Sequence, residues 1–93
     1  MPGKRRRPER KAQYESAVYQ DLLARVASAV RRLRQQRAWT QEEAAHRCDM
    51  STRLLQQVEA GTSNLTFTTL ARLSAGFEVD ASRLIGRPRP WKA

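Results

Sequence analysis

Between Ser51 and Gly61 the chain reads Ser-Thr-Arg-Leu-Leu-Gln-Gln-Val-Glu-Ala-Gly, and its side chains suit hydrogen bonding rather than catalysis. At roughly 100° per residue, Leu55 and Val58 define the inner direction of a helix. Arg53 then lies almost opposite, and Gln56 and Gln57 stand about 130° away. Arginine pairs with the edge of guanine and glutamine with that of adenine, so this outward face has the chemistry of a base reader. Thr52 and Leu54 flank it, where either can touch a thymine methyl group. Catalytic chemistry has far less to work with. His46 and Cys48 are the single histidine and single cysteine, and no set of nucleophile, base and orienting group can be assembled around them. No zinc-ligand spacing and no glycine-rich phosphate loop occurs. The chain is therefore expected to be no enzyme, with no catalytic residue, metal or cofactor, and Trp39 and Cys48 are expected in the core.

The elements that must position this face follow from apolar periodicity and capping residues. Residues 1–10 (MPGKRRRPER) cannot bury an apolar face and read as a disordered basic arm carrying Lys4, Arg5, Arg6 and Arg7. From about Lys11 to Gln36 a long first helix is expected, with Val18, Leu22, Val26, Ala29, Val30 and Leu33 as its apolar stripe. Thr40 followed by Glu43 is a capping box that opens a short second helix. Ser51 caps the third, and Gly61 ends it in a left-handed turn. Thr66 caps a fourth helix that Gly76 is placed to terminate. Asp80 caps a short fifth, closed by Gly86. Residues 87–93 form a basic tail. The expectation is an all-α domain over residues 11–86, with the helix-turn-helix at about 40–60, and no strand alternation or internal repeat is present.

With 93 residues, one small domain plus tails is the limit. The single cysteine excludes an internal disulfide, and no apolar run approaches the length of a membrane span. The net charge of +9 points to a polyanion, most simply nucleic acid. That charge is uneven. Residues 1–37 hold eleven basic and three acidic side chains, residues 38–86 hold four and six, and the last seven residues add three more bases. The middle of the chain, residues 38–86, is thus slightly acidic, and the long-range attraction originates mainly N-terminal to it.

The ordered set Leu33-Arg34, Trp39-Thr40-Gln41-Glu42-Glu43-Ala44-Ala45, Met50-Ser51 with Leu55, Val58-Glu59-Ala60-Gly61, Asn64, Thr69-Leu70 and Leu84-Ile85 resembles the lambda-repressor-like (Cro/repressor, Xre-type) helix-turn-helix family. The resemblance implies a compact five-helix domain, here with an extended first helix. It also implies roles for individual residues. Thr52, Arg53 and Gln57 match base-reading positions, with Gln56 beside them. Gln41, Ser51, Asn64 and Thr66 match contacts to the DNA backbone. Arg34 and Glu59 match a structural salt bridge between the first and third helices. The family often has glycine where Ala38 and Asp49 stand and leucine at Ala44, which predicts backbone strain at the first position and loose packing under the second helix.

The function implied is a sequence-specific regulator of transcription, of bacterial or phage type and acting in the cytoplasm at the nucleoid. It is expected to bind double-stranded DNA as a homodimer, reading a palindromic operator with the third helix in the major groove. The long first helix and the acidic middle of the chain motivate an alternative, an antitoxin or adaptor that docks a protein partner on the same scaffold. A third possibility is a non-specific condenser driven by the basic arm.

Overall fold

Four of the helices start on a side-chain hydroxyl. The computed structural model describes residues 16–86, and among them the helices are α1 (Ala17–Gln36), α2 (Gln41–Arg47), α3 (Thr52–Ala60), α4 (Phe67–Phe77) and α5 (Ser82–Ile85), with no strand. Ser16, Thr40, Ser51 and Thr66 each have extended backbone angles, and each accepts the N–H of the residue three positions on. Such a bond satisfies one of the orphan amides of a helix start and contributes about 1 kcal/mol. At α5 the same work falls to Asp80, whose carboxylate accepts the Ser82 amide at 2.9 Å. A hydrogen bond from the Ser82 hydroxyl, with this one from the Ser82 amide, holds the Asp80 carboxyl below its ordinary value.

Three local expectations need correction. The helical periodicity suggests a first helix from about Lys11, but Ser16 is a non-helical cap and α1 begins at Ala17. Residues 11–15, the arm with Lys4 to Arg7, and the tail from Arg87 lie outside the described residues. The buried stripe of α1 also sits further round the helix than Val18 and Leu22 suggest. Leu23 and Ala27 are buried, whereas Val18 is 71% exposed. The cause is the neighbour: Ala27 faces the end of α3, where a side chain at Gly61 would meet its Cβ at 3.9 Å. Lastly, Gly76 does not end α4. The helix runs on to Phe77, and Glu78 takes the left-handed position at φ 57°. Gly76 serves packing instead, since a Cβ there would lie 2.5 Å from the Cys48 sulfur and 2.7 Å from the Arg47 carbonyl.

The core is small and drawn from every helix. Val26, Val30 and Leu33 of α1 meet Ala44 and Ala45 of α2, Leu55 and Val58 of α3, Leu73 and Phe77 of α4, and Leu84 of α5. Ala44 is fully buried, so packing under α2 is closed rather than loose, because α4 approaches α2 closely through Gly76. Cys48 is buried here too. Burial pushes its thiol up to about 11, which leaves it inert at neutral pH. Trp39 is half-buried and stacks on Phe77 with ring centroids 5.3 Å apart, while the Arg47 guanidinium lies 4.5 Å from its centroid. Arg37 donates to the Phe77 carbonyl at 2.7 Å, joining the end of α1 to the end of α4. Arg25 donates to the Ile85 carbonyl at 2.7 Å and joins α1 to α5.

Two substitutions of opposite sign test this account. Ala38 holds φ 57°, a conformation that costs an L-residue about 1–2 kcal/mol and glycine almost nothing. After the entropy that glycine adds to the unfolded chain, Ala38→Gly should stabilise by roughly 0.5–1 kcal/mol and raise Tm by a few degrees. Gly76→Ala should instead destabilise by about 1–2 kcal/mol despite the better helix propensity of alanine, because the added methyl overlaps Cys48. Thermal melts of the two variants decide it; a stabilising Gly76→Ala would show that α2 and α4 are not in close contact.

Candidate nucleic-acid interface

The inner side of α3 is fully used. Leu55 and Val58 are buried in the core, and Glu59 is a buried acid at 5% exposure. Three N–H groups converge on the Glu59 carboxylate. Arg34 supplies two, from Nε to Oε2 at 2.6 Å and from Nη2 to Oε1 at 3.2 Å, and Gln41 supplies the third, from Nε2 to Oε1 at 3.0 Å. The remaining Arg34 nitrogen donates to the Trp39 carbonyl at 3.1 Å, while Arg31 donates to the main-chain carbonyl of Glu59. Two arginines of α1 therefore hold the last turn of α3, one through its carboxylate and one through its backbone. That is the end of a helix where cations are favoured.

With its inner side held this way, α3 turns its other side to solvent. Arg53, Gln56 and Gln57 are exposed and Thr52 is half-buried, so the four residues assigned to base reading share the outward part of the helix. Among the described residues the side chains of Arg53 and Gln57 have no hydrogen-bond partner, whereas Gln56 donates to the Gln41 carbonyl oxygen at 3.2 Å. The spacing of one guanidinium and two amides along an exposed helix fits the major groove, which admits an α-helix and offers distinct donor and acceptor patterns for each base pair.

The four residues assigned to the DNA backbone flank this face, and each has a structural task as well. The hydroxyls of Ser51 and Thr66 accept the Leu54 and Thr69 amides as caps; the Ser51 O–H is left to donate, whereas the Thr66 hydroxyl also shares a hydrogen bond with that of Thr69 at 3.2 Å. Gln41 is half-buried and engaged at both ends of its amide. Asn64 is exposed, and its Oδ1 accepts the Tyr19 hydroxyl at 3.1 Å. The last contact was not foreseeable from the sequence: Tyr19 lies off the apolar stripe of α1, and the 45-residue separation leaves no periodic signal. Arg31 was likewise missed, since nothing in its spacing marks a bond to a main-chain carbonyl. Lys4, Arg5, Arg6 and Arg7 lie outside the described residues. Among the described residues no group of His, Cys, Asp or Glu is placed to hold a metal, and no helix is long and apolar enough to cross a membrane.

Comparison with known proteins shows the family and the fold. A family model, HTH_3 (helix-turn-helix), matches residues 30–84. Among solved structures, a hypothetical transcription factor NHTF from Neisseria superposes with a TM-score of 0.70 at 30% identity, over 74% of this chain and 79% of that one. An HTH_3 family transcriptional regulator from Vibrio cholerae superposes with a TM-score of 0.65 at 27% identity, over 68% of this chain but only 35% of that one. No curated protein sequence matches the chain.

The Arg34–Glu59 pair generates a direct prediction. Glu59→Ala leaves a guanidinium that is 18% exposed and a half-buried amide without their acceptor, and should destabilise by about 2–4 kcal/mol. Adding Arg34→Met to Glu59→Ala should recover at least half of that loss, because an apolar chain leaves no buried charge unpaired. Urea unfolding of the two variants measures this; a double variant no more stable than Glu59→Ala would show that the pair is not coupled.

Proposed function

The chain belongs to the HTH_3 helix-turn-helix family of DNA-binding regulators, and on that premise we propose that it is a sequence-specific regulator of transcription that reads double-stranded DNA with α3 in the major groove. The observation that carries this reading is the division of α3 into a side locked to α1 through Glu59 and a side on which Arg53, Gln56 and Gln57 are exposed. Arg53 and Gln57, with Thr52 and Gln56 beside them, read base edges. Gln41, Ser51, Asn64 and Thr66 grip the phosphates on either side, and the basic arm with Lys4, Arg5, Arg6 and Arg7 adds charge along the backbone. Two copies bind half-sites about 34 Å apart, one turn of B-DNA, so the operator is palindromic and the regulator acts most simply by occlusion, as a repressor.

A second reading, docking of a protein partner in the manner of an antitoxin or adaptor, is favoured by one feature. Phe67, at the start of α4, is 89% exposed, an unusual position for a phenyl ring. The two readings are compatible on one scaffold.

Selection of bound sites from a random duplex pool tests the principal reading. A palindromic preference should emerge, and Arg53→Ala should relax it at a guanine-bearing position by roughly 1–3 kcal/mol. Removing residues 1–11 should lower affinity and flatten its dependence on salt while leaving the preferred sequence unchanged. Loss of all binding on that deletion would instead make the chain a non-specific binder driven by its arm.

A further inference from the structure

Resting on the second reading, in which a protein partner docks on this scaffold, we infer that the basic groove between α1 and α5 takes an acidic segment of that partner. The groove has a volume of about 730 Å³, within the roughly 300–1,000 Å³ of sites that seat a ligand. Arg25 and Arg32 line it from α1, Arg83 lines it from α5, and no acidic residue does so. Arg25 is already engaged, by Asp21 at 2.7 Å and by the Ile85 carbonyl. Asp80, at the cap of α5, is committed to Ser82. Arg32 and Arg83 are exposed, and among the described residues neither has an ion pair or a hydrogen bond. Two guanidiniums from different helices thus line one groove with no carboxylate to answer them. Their planar forks of donors suit carboxylates. The apolar lining is Ala24 and Ala29, too small to fill the space between the arginines. From Ala24 to Arg32 the groove follows α1 for about 12 Å, at 1.5 Å per residue. That length fits a short segment of chain rather than a single ion.

Charge decides the occupant. A second copy docked about a twofold axis would set this face against itself, guanidinium toward guanidinium. The chain's own last seven residues follow directly on Gly86, which lines the groove, and they carry three bases and no acid. They add to its positive potential instead of neutralising it. The duplex proposed to lie on α3 is on another side of the molecule. α1 meets α3 through Ala27, Arg31 and Arg34, about 120° round the helix from the groove. Carboxylates on a partner protein are the remaining match, and they can be held while α3 is occupied.

The test uses the full chain and a short fluorescein-labelled peptide that alternates glutamate with alanine, beside a matched peptide with glutamine for glutamate. Fluorescence anisotropy should show binding of the acidic form that weakens with salt, and much weaker binding of the neutral form. Arg32→Gln and Arg83→Gln should each lower affinity for the acidic form at least about threefold. Arg72→Gln, at an exposed arginine of α4 outside the groove, should leave it unchanged. All three side chains are exposed, so folding is not at issue. Amide shifts of the 15N-labelled chain on adding the acidic peptide should cluster at residues 24–32 and 82–86. Equal losses in all three variants would show general attraction to a basic protein and overturn the inference. Equal affinity for the glutamine form would overturn the acidic partner while leaving a docking site. Binding lost only in Phe67→Ala would overturn the groove while leaving the docking reading intact. Binding of neither form would overturn the inference and withdraw this face from the docking reading.

Discussion

The structure depends on a charge that has no business in a small core unless it is held there. Taking a carboxylate and a guanidinium out of water costs several kcal/mol per ion, and their mutual attraction at best offsets that loss. Glu59 and Arg34 therefore add little net stability compared with a pair of apolar residues. What they add is direction. A Leu or Val contact tolerates rotation of one helix over another by several degrees, whereas three N–H groups on two carboxylate oxygens do not. The arrangement also draws α2 into the same constraint, because the third donor is Gln41 at the first position of that helix. One buried acid thus fixes three helices, including the one proposed to read bases.

The rest of the domain makes room for that constraint with small side chains. Ala27 lets α3 end close against α1, and Ala44, Ala45, Cys48 and Gly76 let α2 approach α3 and α4. Close approach recovers dispersion contacts that larger residues would otherwise supply, so a core with few large side chains is still closed. Its tolerance is correspondingly low. There is no void to absorb an added methyl at Gly76, and no flexible side chain to move aside except Cys48 itself.

What the sequence disclosed and what it hid divide along a physical line. Caps are local, and Thr40, Ser51, Thr66 and Gly61 act where their residue types place them. The five-helix order and the exposed side of α3 rest on periodicity, which is also local. Even so, Glu43 shows the limit of a local rule. The Thr40 hydroxyl accepts the Glu43 amide, but the Glu43 carboxylate pairs with Arg47 at 2.7 Å rather than closing the box. The glycine at position 76 read as a helix stop because conformational freedom is its local signature, whereas its task is contact with a residue 28 positions away. Tyr19 with Asn64, Arg31 with the Glu59 carbonyl, and Gln56 with Gln41 belong to the same class of tertiary hydrogen bond. Resemblance to a family carried over which residues are proposed to face DNA, but not which of them are already bonded to one another.

The distribution of charge bears on how attraction and selection are shared. Residues 38–86, which include α2 to α5, hold four basic and six acidic side chains, and α3 itself carries one arginine and one acid. A recognition helix so nearly neutral cannot supply much of the counterion release that dominates affinity for DNA. It is instead suited to discrimination, since a lone arginine and oriented amides gain energy only when the matching base edge is present. The basic excess lies in residues 1–37, at +8, with more in the last seven residues. On the proposed reading, long-range pull and base selection thus reside in different parts of the chain. On the proposed reading, the slightly acidic stretch from α2 to α5 also weakens the hold on wrong sequences, because a phosphate backbone offers it little that the correct bases do not. On that reading, the division raises the ratio of specific to non-specific binding without requiring more base contacts than one short helix can provide.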